Sequence, residues 1–133
     1  MSLLDFFRPK ISPQLLWLAT NGDSEAQTRV GTLYLEGGSV PKDYKKAFFW
    51  FQKAAEQGSF VAQVQLGCMY FGGQGVPIDS VEAYKWIAVA AFQQKDMGRW
   101  MTSKEALESH MTPEEISEGL RRADVFLERK RQK

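Results

Sequence analysis

An all-α superhelix of antiparallel helix pairs is the fold predicted for this chain of 133 residues. Three observations predict it: a gapless internal repeat, helical spacing of apolar residues inside each copy, and capping residues between them. Thirteen of the 36 residues from Ala26 to Val61 recur identically one period later, since Ala62 lies 36 positions after Ala26 and the register holds through Met97. Periods of about 20 to 50 residues mark solenoids, in which no unit buries its apolar face alone and each must stack on its neighbours.

The identities fall where a helix hairpin needs them. Ala26, Gln27, Gly31 and Tyr34 return as Ala62, Gln63, Gly67 and Tyr70 on the first helix of each pair. Gly37, Val40, Pro41 and Asp43 return as Gly73, Val76, Pro77 and Asp79 in the turn. Ala47, Trp50, Ala54, Ala55 and Gln57 return as Ala83, Trp86, Ala90, Ala91 and Gln93 on the second helix. Ala26, Val30, Leu33 and Tyr34 share one helical face, which predicts a helix from about Ser24 to Leu35. Gly37 and Gly38 end it, and Asp43 supplies the N-cap of the next helix, which buries Ala47, Trp50, Phe51, Ala54 and Ala55. Asp79 and Glu82 have capping-box spacing in the second copy.

The ends depart from the repeat. Pro9 and Pro13 prevent a long helix at the start, and Ser12 caps one that begins at Pro13 and carries Leu15, Leu16, Leu18 and Ala19. After the second copy, Gln94 replaces the glycine that ends the first, so the helix is expected to continue through Lys95 until Gly98 permits a turn. Trp100, Met101, Ala106 and Leu107 suggest a helix from about Arg99 to Ser109. Thr112, Pro113 and Glu115 then announce another, whose stripe of Ile116, Leu120, Ala123 and Leu127 is expected to close the array. The chain thus reads as a single α/α-repeat domain over residues 1–133: lead-in 1–12, half-repeat helix 13–23, repeat 1 24–59, repeat 2 60–96, and a degenerate repeat with capping helix 97–133.

The pattern Ala-x3-Val-Gly-x2-Tyr-x2-Gly-x2-Val-Pro-x-Asp-x3-Ala-x2-Trp-x3-Ala-Ala-x2-Gly in residues 26–58, matched again over 62–91, resembles the Sel-one-like repeat. That family is a branch of the tetratricopeptide-like α/α repeats. The resemblance covers about residues 15–98 and implies a right-handed superhelix that serves as an adaptor or scaffold for protein complexes, with its first helices lining a concave groove. Some secreted members are stapled by paired cysteines within each repeat, whereas this chain has Cys68 alone.

Composition narrows the function. A formal net charge of +1 creates no global field to attract nucleic acid or an anionic membrane. The N-terminus lacks a basic start followed by an apolar stretch of about 7 to 15 residues, and no run approaches the roughly 20 apolar residues that span a bilayer. With the lone thiol, these features favour a cytoplasmic protein.

The remaining motifs are weighed residue by residue. The Gly72-Gly73-Gln74-Gly75 loop lacks the Lys-Ser or Lys-Thr of a phosphate cradle and reads as a turn. His110 is the only histidine, too few for a zinc site, and Cys68 sits mid-helix with no neighbouring base. No catalytic residue, metal or cofactor is therefore expected. The basic run from Arg129 to Lys133 complements a helix C-terminus, and the four tryptophans fall on inferred core or helix–helix positions rather than on a nucleic-acid face. The arc opposite the buried face of each first helix carries Thr28, Arg29, Thr32 and Leu35, then Val64, Gln65, Cys68 and Phe71, and the resemblance places these in the groove as protein-binding residues. The competing expectation is that the chain's own C-terminal helix covers them. The chain reads as a monomer or weak homo-oligomer that binds a protein or peptide. The alternatives are an enzyme or enzyme accessory holding its substrate in the groove, in which Cys68, His110 and a carboxylate would converge, and a self-assembling structural protein.

Overall fold

The computed structural model describes residues 10–95 and 97–132, apart from the side chains of Met97, Arg99, Trp100 and Met101. Seven helices and no strand occur among the described residues: α1 (Pro13–Thr20), α2 (Ser24–Glu36), α3 (Tyr44–Glu56), α4 (Phe60–Gly72), α5 (Ser80–Gln94), α6 (Met97–Glu108) and α7 (Pro113–Arg131). Each helix from α1 to α5 packs on the next, as a solenoid requires, and α7 turns back onto α5.

Caps set the boundaries. The side chains of Asp23, Asp43, Ser59 and Asp79 each accept a backbone N–H three residues on, at 2.8–3.3 Å, and so satisfy donors that a helix start leaves unpaired. Gly37 and Gly73 end α2 and α4 in the left-handed conformation, at φ 75° and 68°. Thr112 and Glu115 complete a reciprocal capping box at the start of α7. Asp79 and Glu82 complete only half of one: Asp79 accepts the Glu82 N–H, and the Glu82 side chain turns instead to Arg122 of α7 at 2.7 Å.

Small residues let the helices nest. A Cβ on Gly31 would lie 2.9 Å from the Phe51 ring, and one on Gly67 would lie 2.5 Å from Ile87 Cδ1. Phe51 and Ile87 occupy the same register position, 36 residues apart. Ala47, Ala54 and Ala55 of α3 and Ala83, Ala90 and Ala91 of α5 are buried beside these contacts. The main core gathers on α5, where Tyr84, Trp86 and Val89 meet Leu66 and Met69 of α4 and Ala123 and Phe126 of α7. A separate small cluster of Ala19, Ala26 and Val30 holds α1 to α2.

Buried glutamines tie successive pairs together. The Gln27 amide donates to the Ala19 carbonyl at 3.1 Å and accepts from Gln57 at 2.8 Å. Its counterpart Gln63 donates to the Ala55 carbonyl and to Gln93 Oε1, both at 3.2 Å, while Gln93 donates to the Gly58 carbonyl at 2.7 Å. Each first helix thereby satisfies carbonyls at the frayed end of the second helix before it, which explains why both glutamines of the pair recur.

Three expectations change. The turn after α5 is made at Lys95, held at φ 57°, and Gly98 lies inside α6. The next helix starts so close that the reversal happens where glycine is missing, and a lysine adopts the left-handed cap instead. On α7 the buried stripe runs through Gly119, Ala123 and Phe126, flanked by half-buried Ile116 and Leu127, while Leu120 is exposed. Trp17 is 64% exposed, whereas Trp50 is half-buried and packs against the cluster of Ala19, Ala26 and Val30, and Trp86 is buried in the main core. The expectation that Trp100 and Met101 contribute apolar surface lies outside the described residues, as does the lead-in over residues 1–9.

Gly75 combines φ +74° with a close approach in which a Cβ would strike the Tyr44 carbonyl oxygen, whereas Gly38 has open space and no positive φ. Gly75→Ala should therefore lower the unfolding free energy by about 2 kcal/mol or more in urea titration, and Gly38→Ala should change it by less than about 0.5 kcal/mol. Lys95→Gly should raise it by about 1 kcal/mol, because it removes left-handed strain without removing a described contact.

Candidate functional site

The residues expected in the groove do not share one environment. On α2, Thr28 is half-buried, and its hydroxyl donates to the Ser24 carbonyl at 2.8 Å and lies 2.9 Å from the hydroxyl of Ser59, the cap of α4. Thr32 donates back to the Thr28 carbonyl at 2.9 Å. Both line an open groove of about 630 Å³ with Arg29, Leu33 and, from α1, Leu15 and Leu18. Leu35 turns away from it and packs against the main core.

On α4, Cys68 and Phe71 are exposed, Phe71 to 42%, and Val64 and Gln65 are half-buried. Spacings of four and three residues place Val64, Cys68 and Phe71 along one side of the helix. Against the expectation that the C-terminal helix folds over this strip, α7 packs on α5 instead. The approach to Phe71 comes from the turn before α7, where the His110 ring stands 6.1 Å away at a tilt of 53°. Cys68 does not line the groove between α1 and α2, nor does His110. No cluster of three or more potential metal ligands occurs among the described residues.

The opposite side of the array is closed by charge as well as packing. Trp86 and Phe126 meet edge to face at 5.2 Å, and Lys85 lies 4.3 Å above the Trp86 ring. Arg122 of α7 reaches Glu82 of α5 at 2.7 Å and Glu118 at 2.9 Å. Hydrogen bonds from Arg121 and then Arg122 hold the Glu118 carboxyl down at about 2. Deeper in, the Tyr84 hydroxyl donates to Glu108 of α6, which also receives Lys104 at 2.9 Å. The Tyr84 bond, reinforced by Lys104, lowers the Glu108 carboxyl below its ordinary value, while burial and that same bond raise the Tyr84 phenol. These shifts stabilise the joint between α5, α6 and α7. The sequence reading passed over Tyr84 because Phe48 occupies its register position, and the Glu108 partner lies in the unit that has lost the repeat pattern.

A second groove, of about 950 Å³, runs between the ends of α3 and α5 and the last turns of α7. Leu120, Ala123 and Leu127 contribute apolar walls, and Lys95, Lys130 and Arg131 stand at its rim. Neither Cys68 nor His110 lines it. No described helix is long and apolar enough to cross a membrane.

An array of paired helices stacked in sequence, with exposed walls, defines an α/α-repeat protein. The profile of the Sel1 repeat matches residues 24–59 and 61–91, and the chain belongs to that family. It is similar to c5321, a protective antigen present in uropathogenic Escherichia coli strains that displays an SLR fold, at 32% identity and a TM-score of 0.78 over 86% of this chain and 25% of that one. It is also similar to a Sel1 repeat protein from Oxalobacter formigenes, at 43% identity and a TM-score of 0.62 over 67% of this chain and 26% of that one. The chain thus spans about a quarter of the length of either. No curated protein matches it.

The Tyr84–Glu108 bond has a definite pH signature. Because the folded carboxyl of Glu108 binds its proton more weakly than the unfolded one, its contribution is present above the ordinary value of 4.5 and is lost as pH falls through the lowered folded value. Because the Tyr84 phenol is raised, its contribution is complete below 10.0 and is lost at more alkaline pH. Tyr84→Phe should move the Glu108 carboxyl titration, followed by NMR, back up toward 4.5 and lower the urea midpoint at pH 7. An unmoved Glu108 titration would contradict the assignment.

Proposed function

We propose that this Sel1 repeat protein is a cytoplasmic adaptor that binds a protein or peptide along the wall formed by its first helices. Thr28, Arg29, Thr32 and Leu35 of α2 and Val64, Gln65, Cys68 and Phe71 of α4 make up that wall. The observation that carries this reading is the strip on α4, where Phe71 is 42% exposed and Cys68 is exposed beside half-buried Val64 while the closing helix packs elsewhere. An aliphatic and aromatic strip with polar flanks at Arg29 and Gln65 has the chemistry of an interface core and rim. Leu35 contributes through its packing against the main core.

The reading assigns no reaction and no cofactor to the chain. Ser59, Asp23, Asp43 and Asp79 act as helix caps. The raised tyrosines are explained by burial and by nearby carboxylates. Family membership supports protein binding in general and leaves the partner open.

Phe71→Glu and Arg29→Glu should each weaken recovery of the same bound protein in a pull-down by about tenfold or more, the range expected when an interface anchor or its charged flank is reversed. Lys53→Glu, on the exposed side of α3, should leave it intact, and all three variants should keep the helical circular dichroism of the parent. Full recovery by both wall variants would count against the proposed surface.

A further inference from the structure

The two matched repeats share their buried positions and differ on the outside of their second helices. Lys42, Lys45, Lys46 and Lys53 stand 36 residues before Ile78, Val81, Glu82 and Val89, and Phe49 stands 36 before Lys85. The repeat as a fold therefore requires none of these lysines. All four are exposed, and spacings of three, four and seven residues gather them with Phe49 on one face of α3 and its entry turn. In the second repeat the chain covers much of this face itself, with Val89 buried and Glu82 bonded to Arg122. On α3 the face is open, and Phe49 is 50% exposed in the midst of the lysines.

The lysines also stand where they weaken the free helix. Lys45 and Lys46 occupy the first turn of α3, which holds no acidic residue, although a helix start carries the positive end of the macrodipole. Lys42, just ahead of the cap, adds a third charge of the same sign. None of the four forms an ion pair among the described residues, and the Asp43 carboxylate accepts the Lys46 backbone N–H as the cap of α3. Three of the ammonium groups lie over aromatic rings instead: Lys42 over Tyr44 at 5.5 Å, Lys46 over Tyr34 at 5.4 Å and Lys53 over Phe49 at 5.0 Å. The rings hold the charges against the surface, which reduces the ordering that a bound partner must impose.

We propose that this face of α3 docks an acidic segment of a partner protein, with carboxylates on the lysines and an apolar side chain on Phe49. Cations that neither pair within the chain nor recur in the repeat are complementary to negative charge supplied from outside. Phe49 separates Lys46 from Lys53, an interval of about 10 Å along the helix. A partner helix with acids seven residues apart and an apolar residue between them matches both features. The four cations are all lysine, and α3 holds no arginine, the side chain whose planar fork suits phosphate. That choice, with an apolar anchor at the centre, favours a carboxylate-bearing protein over nucleic acid or a phospholipid surface. None of the residues assigned to the wall of α2 and α4 lies on α3 or in its entry turn, so the two surfaces are independent.

The test uses a labelled synthetic helical peptide, with glutamates seven residues apart flanking a leucine, and reads fluorescence anisotropy at low ionic strength. Lys45→Glu combined with Lys46→Glu should weaken peptide binding about tenfold or more while raising the melting temperature by a few degrees. Acids suit the first turn, and the second substitution reproduces the capping-box spacing of Asp79 and Glu82. Binding that falls as stability rises does not come from a damaged fold. Phe49→Ser should weaken the peptide to a similar degree with every charge in place. Arg129→Glu combined with Arg131→Glu, an equal change of charge on α7, should leave it bound, as should Phe71→Glu in the wall. A parent protein that does not bind the peptide, a lysine variant that binds it equally or loses stability along with it, or undiminished binding by Phe49→Ser would overturn the proposal. An equal loss in the α7 variant would overturn it too, as would tighter binding of duplex DNA or phosphatidylserine vesicles than of the peptide.

Discussion

The whole array depends on glycines at three helix crossings, where a large side chain lies in the space a Cβ would fill. Gly31 receives Phe51 and Gly67 receives Ile87, at the same register position in successive repeats. The closing helix uses the device again outside the register, since a Cβ on Gly119 would sit 2.9 Å from Tyr84 Cδ1. Close approach brings the backbones near enough for the alanines around them to be buried, and this gives the helix pairs a fixed angle and depth. The glutamine ties act on the other side of each first helix, where Gln27 and Gln63 reach a carbonyl of the preceding helix.

Much of this was legible in the sequence, because repetition separates structural demands from accident. Gly31 with Gly67, Asp43 with Asp79 and the paired alanines recur, and each has the same place in both copies. The misreadings fall where the repeat stops. With no third copy to compare, the end of α5 was extended to the next glycine, whereas the chain reverses at Lys95. The face of α7 was drawn through Leu120 instead of Phe126, because a helix that packs chiefly on α5 carries no second register to fix its rotation. Trp17 resembled a core residue by type, and only coordinates show how little surrounds it.

The candidate wall was partly legible for the same reason. Position within the helix separates Val64, Cys68 and Phe71 from the buried arc, and exposure of the last two agrees with that geometry. What spacing could not show is that neighbours on α2 differ in role. The Thr28 hydroxyl bridges to the cap of α4, and Leu35 is drawn into the core. Such contacts depend on the angle between successive pairs, a tertiary quantity that one-dimensional periodicity leaves undetermined.

Apolar mass is unevenly distributed along the array, and this affects how the protein is made. The cluster shared by α1 and α2 has Ala19, Ala26 and Val30 as its buried residues, with Ile11, Leu15, Tyr34 and Trp50 packed against them, whereas the core around α5 draws on α3, α4, α6 and α7. In synthesis this lightly packed hairpin precedes α5, on which the other helices settle. Until α5 and its closing helix emerge, α1 to α3 are held by the smaller cluster and the Gly31–Phe51 crossing, and the main core forms late.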